Sequence, residues 1–398
     1  MRYGGLLGCS TIAMLLAAGA AHAQATRQFD LELEARGVYD TNVARSNAAV
    51  AALRGVERED WIFSPSVRAN IVQPFGRQAV FLNGAVGYEF YNKNDQLNRE
   101  RIGLQGGLQT GFGPCRGSLV GGYDRKQSDL RDLTLLTVEN METITSAGVD
   151  AVCGRQAGLG VMASATQKWA DNSASSRVTA DYTDFMAVAG VVYQRPTFGE
   201  LNLFGSYGKI KYDNRLVPAG AGFVRDGYER HGAGVRYTRR LGARLQGSVS
   251  ASYISVEPES PAVDDFQGAN YSADITFRSS DRLQMALAFA REVTPSNRIE
   301  TAYSVEDSYR LEGTYAMGSR IKLGLGASYS KADYEGAALT PTFSVTEEEI
   351  RRVFGSVGVD IGRRFAVKLD ATQEERDANV PGFDYTANRV GLSLVAKL

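Results

Sequence analysis

The sequence predicts an all-β fold, a transmembrane antiparallel up-and-down β-barrel of about 18 strands, on three observations. Stretches of alternating apolar and polar residues recur roughly every twenty residues from Gln28 to Leu398. The connectors between them alternate in kind, one short with Gly and Arg, the next longer and polar. Beyond Ala23 no segment reaches the roughly 18 to 20 consecutive apolar residues that a membrane helix needs. A barrel strand has one face in lipid and one in water, so it gives this cadence without a hydropathy peak. The 19 Tyr, 17 Phe and 43 Gly against 10 Pro, with a mean hydropathy of −0.23, suit such a wall.

Residues 1–23 read as a secretory leader: Arg2, the apolar run Ile12 to Ala21, and Ala21-His22-Ala23 as the cleavage site before Gln24. Leu6-Leu7-Gly8-Cys9 has the look of a lipidation site, but the apolar run follows Cys9 instead of preceding it. The expected organisation is a leader, 1–23, and one barrel domain, 24–398, in the outer membrane of a Gram-negative bacterium after cleavage of the leader. Outer-membrane lipid and lipopolysaccharide are its expected surroundings.

The first strand, Phe29 to Tyr39, places Asp30, Glu32, Glu34 and Arg36 on its polar phase. Trp61 to Ile71, Val80 to Phe90 and Ile102 to Thr110 follow the same alternation. In Val178 to Tyr193 and Leu201 to Tyr212 the phase blurs, and bulges are expected there. Leu245 to Ser255, Tyr271 to Phe277 and Leu283 to Phe289 restore it. Ile299 to Ala316 sets Tyr303, Val305, Tyr309, Leu311 and Tyr315 against Glu306, Arg310 and Glu312. In Ser319 to Lys331, Ile321, Leu323, Leu325, Ala327 and Tyr329 oppose Lys322, Gly324, Gly326, Ser328 and Ser330. Val353, Val357, Val359 and Ile361 then oppose Arg352 and Ser356, with Glu348 upstream on the polar phase, and Phe365, Val367 and Leu369 oppose Lys368 and Asp370. The chain stops in Val390, Leu392, Leu394, Ala396 and Leu398, an apolar phase that resembles the final-strand assembly signal of outer-membrane barrels, with Leu where Phe is usual. These and the weaker segments make 18 strands; 16 would fit if one weak hairpin were a loop.

Even counts place both chain ends on the periplasmic side. The short connectors, Gln73 to Arg77, Gly113 to Arg116, Gly154 to Gln156, Gln194 to Gly199, Leu241 to Ala243, Ser279 to Asp281, Met317 to Ser319 and Gly362 to Arg364, are then periplasmic turns. Asn42 to Arg58, Ser128 to Val138, Asn214 to Val224, Pro258 to Asp265 and Tyr334 to Phe343 face outside. Asn42 to Arg58 is read as a plain surface loop, although Ala48 to Leu53 has the composition of a helical turn that would let it fold inward. Phe75, Phe112, Phe198, Phe277 and Phe365 beside short turns, and Tyr39, Tyr88, Phe90, Tyr207, Tyr253 and Tyr329 toward the long loops, would form two interfacial girdles.

A formal charge of −1 from 44 basic and 45 acidic interleaved residues argues against a nucleic-acid partner. Catalytic chemistry has little to stand on. His231 is the one histidine left after the leader, and it reads as a strand or rim filler. Ser328-Tyr329-Ser330-Lys331 matches S-x-x-K, but residues three apart on a strand point to opposite faces. Gly324 and Gly326 lack the following helix of a phosphate loop. The acidic stretch Glu257 to Asp265 lacks EF-hand spacing and reads as a solvated loop. No cofactor or metal is expected. Cys115 and Cys153 lie at successive short turns, so that an oxidising compartment allows one structural disulfide between them.

The candidate site is therefore the polar phase itself: Asp30, Glu32, Glu34, Arg36, Glu306, Arg310, Glu312, Glu348, Arg352, Lys368 and Asp370 as lumen-lining residues. Charges of both signs suit a neutral or weakly charged solute such as a sugar chain. They equally allow a lumen knitted shut by ion pairs.

Tyr39-Asp40-Thr41-Asn42-Val43, followed by Arg45, resembles the putative β-barrel porin 2 family of Gram-negative bacteria, as do the leader, the length and the unbroken run of alternating strands. The resemblance implies a porin-like channel associated with exopolysaccharide export or assembly, with polysaccharide and export machinery as partners. A general diffusion porin and a barrel enzyme acting on lipid or polysaccharide are the alternatives.

Overall fold

The computed structural model describes residues 26–128, 130, 139–155, 157–219, 222–261, 263–296, 301–335 and 345–398. The leader lies outside them, as do most of Ser128 to Val138 and of Tyr334 to Phe343. Strands β1 to β6 are Gln28–Asp40, Asp60–Phe75, Gln78–Tyr91, Arg99–Phe112, Cys115–Gln127 and Met141–Gly154. Next come β7 to β12, Gly158–Asn172, Tyr182–Arg195, Gly199–Ala219, Gly222–Leu241, Leu245–Pro258 and Phe266–Arg278. The wall ends with β13 to β18, Leu283–Pro295, Tyr303–Met317, Ile321–Glu335, Glu347–Ile361, Phe365–Ala378 and Tyr385–Lys397. Each strand pairs antiparallel with its neighbours in sequence, and β1 pairs with β18 from Glu32–Lys397 to Asp40–Arg389, which closes an 18-stranded barrel. Closure leaves no open edge facing hydrocarbon, the condition for a sheet to cross a bilayer.

Period-two patterning decides which face looks out. Phe29, Leu33, Leu325, Val357, Leu369, Leu392 and Leu394 are all exposed on the outer face. Their polar neighbours in sequence occupy the inner one. Both girdles are present: Phe75, Phe112, Phe198, Phe277 and Phe365 stand exposed at the short-turn end. At the other end Tyr39 packs on Trp61, Tyr88 on Phe90 and Tyr309 on Tyr329, with ring centroids 5.1, 4.6 and 6.2 Å apart.

All the short connectors join consecutive strands at one end of the barrel. Three are three-residue turns in which glycine takes a left-handed backbone, Gly242 at φ +63°, Gly318 at φ +69° and Gly362 at φ +70°. The structure departs from the sequence reading on the other side. Asn214 to Val224 is not a loop: β9 continues to Ala219 and β10 begins at Gly222. Its polar residues look like loop chemistry, yet Arg215 is buried and ion-paired with Asp226. Nor does β8 start at Val178, because Ser175–Ala180 is a 3₁₀ turn. β8 pairs in unbroken register with both neighbours, and the irregularity expected in this region lies instead in the β9–β10 ladder, between Arg225 and Gly227.

The large apolar clusters sit at the outer end, not midway along the wall. One joins Tyr182, Ile210, Tyr212, Tyr228, Ile254, Val256, Val293, Tyr303 and Val305. The other gathers Val43, Ala44, Ala51, Val56, Leu97 and Leu130 around the connector from β1 to β2. There Ala48–Leu53 forms a helix, α1, capped by the Asn47 side chain on the Val50 amide at 2.9 Å. The plain-loop reading of Asn42 to Arg58 is thus corrected. Its run of alanines and valines buries Val50 and Ala51, and Asn47 reaches the connector after β17 by donating to the Gly382 carbonyl.

Candidate functional site

The polar phase lies on the inner face, and its charges meet across neighbouring strands. Asp30 accepts from Gln28 at 2.5 Å and from Asn70 at 3.4 Å. Arg68 of β2 stands 3.6 Å from both Glu32 and Glu34. Arg36 binds Asp370 at 2.7 Å beside Gly391, where a Cβ would lie about 3.0 Å from the guanidinium and 3.1 Å from the carboxylate. Arg310 pairs with Glu312 at 2.7 Å and lies 5.0 Å from the Phe354 ring centre. Lys368 is opposite Gly358 and Ser393, and Glu306 is opposite Glu292 and Ala332. Mixed charge along the inner wall is therefore organised as pairs, not as a field of one sign.

Toward the outer mouth the pairs merge into a network across β15, β16, β17, β18 and β1. Glu348 binds Arg376 and accepts the Tyr334 hydroxyl at 2.7 Å. Glu374 binds Arg352 and accepts the Tyr385 hydroxyl. Arg389 lies 3.6 Å from Glu374 and 4.0 Å from Asp40. The network then passes to the β1–β2 connector, because Arg45 forks onto both oxygens of Asp40, at 2.6 and 3.1 Å. Burial alone would lower the Arg45 pKa, but Asp40 outweighs it and holds the guanidinium well above its ordinary value. Arg45 takes a left-handed backbone at φ +49°, a conformation that a non-glycine residue keeps only when its surroundings fix it. Its side chain also donates to the Asn42 carbonyl, and Asn42 is wholly buried and donates to Ser46 and Thr386. The Tyr-Asp-Thr-Asn stretch thus ties the connector to the inner wall.

Across the mouth, β8 to β10 form a second buried set. Arg230 binds Asp184 at 2.7 Å, Arg215 binds Asp226 at 3.3 Å, and Arg215 lies 3.8 Å above the Tyr212 ring.

Sequence reasoning placed Glu348 and Arg352 but missed Asp40, Arg45, Glu374, Arg376, Tyr385 and Arg389. Glu374 and Arg376 continue the phase of Lys368 and Asp370, and Arg389 that of Gly391, so extending those alternations outward finds them. No such signal marks Arg215 and Asp226, which fall in the stretch read as a loop.

Cys115 and Cys153 form a disulfide. They are directly opposite in the β5–β6 ladder, which brings them within bridging reach, with Cα atoms 3.9 Å apart. His231 is half exposed on the outer face, 5.2 Å from the Tyr207 ring. Glu259 of the acidic loop pairs with Lys209 at 3.4 Å, and no metal-holding cluster occurs among the described residues.

Residues 165–398 match the sequence profile of a family described as "Putative beta-barrel porin 2". Among solved structures the chain is similar to OccK2 (OpdF) of Pseudomonas aeruginosa, crystallised in complex with glucuronate. The identity is 13%, over 93% of this chain and 98% of that one, with a TM-score of 0.48. It is also similar to OccAB3 of Acinetobacter baumannii, at 12% identity over 93% and 99% of the two chains, TM-score 0.45. The chain matches none of the curated proteins. The family profile covers more than half of the chain, and the chain forms the closed wall described above, so this protein, an outer-membrane porin-like β-barrel, belongs to the putative β-barrel porin 2 family.

Proposed function

We propose that the protein is a passive outer-membrane channel for neutral or weakly charged saccharides, associated with exopolysaccharide export or assembly, working without covalent chemistry. The observation that carries this reading is the inner wall of paired opposite charges, Arg36 with Asp370, Arg310 with Glu312, and Arg352 with Glu374. Pairing leaves polar atoms for hydrogen bonding to hydroxyl groups without a strong field for either sign of ion. Tyr334, partly exposed and held by Glu348 at the mouth, adds a ring face of the kind on which sugars stack. The exopolysaccharide association rests on what the resemblance carried by Tyr39-Asp40-Thr41-Asn42-Val43 implies.

Proteoliposome swelling with neutral oligosaccharides of graded size tests the channel. Entry that falls with size, and equal entry of matched anionic and cationic solutes, is expected; strict exclusion of neutral sugars contradicts it. A general diffusion porin remains the second reading, and it predicts no change in surface polysaccharide when the gene is deleted. For an enzyme, His231→Ala would have to abolish a lipid or polysaccharide hydrolysis, and the half-exposed outer-face position of His231 supports none.

A further inference from the structure

The barrel wall is split at one place. β11 and β12 pair out to Val256–Phe266, and β13 and β14 pair out to Pro295–Tyr303. Between them, the β12–β13 ladder stops at Tyr271–Arg291, leaving Phe266 to Asn270 with no described partner on the β13 side. Above that point β13 and β14 turn inward and are received by β9 and β10, strands that are not their neighbours. The Tyr212 hydroxyl accepts from the Ser296 amide at 3.0 Å and donates to the Ala302 carbonyl. Arg215 donates to the Thr301 carbonyl at 2.7 Å, and Arg230 to the Val293 carbonyl at 3.3 Å.

Phase shows what this bend does. Leu287, Leu311 and Tyr309 are exposed on the outer face, and Val293, Val305 and Tyr303 continue the same phase along their strands. Yet these three are only 3%, 5% and 1% exposed. They lie in the cluster with Tyr228, Ile254 and Val256, whose side chains belong to the inner face of β10 and β11, and Tyr303 meets Tyr228 with ring centroids 5.4 Å apart. A segment patterned for the outer face of the wall therefore packs against the inner face of β10 and β11. The unused edge of β12 is the place that its pattern fits: continuing the Tyr271–Arg291 register sets Asn270 opposite Glu292, Gly268 opposite Thr294 and Phe266 opposite Ser296.

We propose that the outer ends of β13 and β14, Glu292–Ser296 and residues 301–306, form a flap with two seats. In the described seat it lies inside the mouth, latched by Tyr212, Arg215 and Arg230. In the second it swings outward about its β15 side, where pairing persists to Tyr303–Glu335, and completes the β12–β13 ladder. The second seat exchanges latch bonds for ladder bonds and returns Val293, Val305 and Tyr303 to the outer face, so the two are alternative packings of one sequence. The outward seat widens the passage, and this consequence rests on the channel reading.

Gly268→Cys with Thr294→Cys, in the chain that keeps Cys115–Cys153, tests the flap. The folded barrel is oxidised and the linkage identified by non-reducing peptide mapping. A 268–294 link is expected, with a higher yield when Tyr212→Phe removes the latch hydroxyl. Absence of that link in both backgrounds overturns the proposal. Single-channel recording of the linked protein is expected to show raised conductance that reverts on reduction, with the protein lacking the added cysteines unaffected by reductant. A link with no current in any variant counts against the channel and leaves the two seats standing.

Discussion

Arg376 has a side chain that is 0% exposed, and it binds a Glu348 side chain that is 10% exposed. Removing one partner of such a pair strands a desolvated charge, so Glu348→Ala is expected to destabilise the barrel by about 3–5 kcal/mol in denaturant titration of the refolded protein. Lys331, which bridges Asp333 and Glu347 at a wetter position, gives the contrast. Lys331→Ala is expected to cost under about 1 kcal/mol in the same titration. Equal losses for the two would contradict the burial difference. Alternation of residues made Glu348 and Arg352 legible in the sequence, because it says which face a side chain takes. It does not say which partner on another strand it meets, since that depends on register, and so the Arg352–Glu374 and Arg376–Glu348 pairs had to be seen in the fold.

Among elements, the hairpins with short turns were the most legible, because a few Gly-containing residues admit few ways to join two strands. The outer connectors were the least. α1 forms because Asn47 caps it and because Ala51 has an apolar bed to enter, built in part by Leu97 and Leu130 from other connectors. The β9–β10 extension was hidden for a related reason: Arg215 is compatible with a strand only once Asp226 and the Tyr212 ring receive it. Replacing Ser46 to Arg54 by a flexible Gly-Ser linker is expected to raise single-channel conductance, because Arg45 on Asp40 and Asn47 on Gly382 hold the connector at the mouth; unchanged conductance would place it clear of the passage. The disulfide belongs to this scale too. It closes a loop of 38 residues between strands already joined by a ladder from Cys115–Cys153 to Gln127–Met141. Cys115→Ser with Cys153→Ser is expected to lower stability by about 2–4 kcal/mol while the barrel still forms, read as loss of heat resistance in gel mobility with the folded band retained.

For the whole molecule, a closed barrel of about 18 strands and the facing of most of them were readable from period two together with the alternation of connectors, and a bend of two strands into the mouth was not. Period two assigns faces to a strand but carries no information on where the sheet curves or splits. Val305 shares the apolar phase of Tyr309 and Leu311 yet is buried inside, as is Val293 opposite it. The two faces themselves make a direct prediction. Leu392 is 57% exposed on the outer face midway along β18, so Leu392→Arg is expected to cost about 2–4 kcal/mol in lipid. The same substitution is expected to cost little in the exposed α1 residue Leu53, and denaturant titration in bilayers of defined thickness compares them.

The central claim, a water-filled passage through a mixed-charge barrel, is tested most directly by planar-bilayer recording of the refolded protein in a salt gradient. Discrete current steps with a reversal potential near zero are expected, because acids and bases are paired along the inner wall. A membrane that shows folded barrel and no current, or a reversal potential at the limit for one ion, would contradict it.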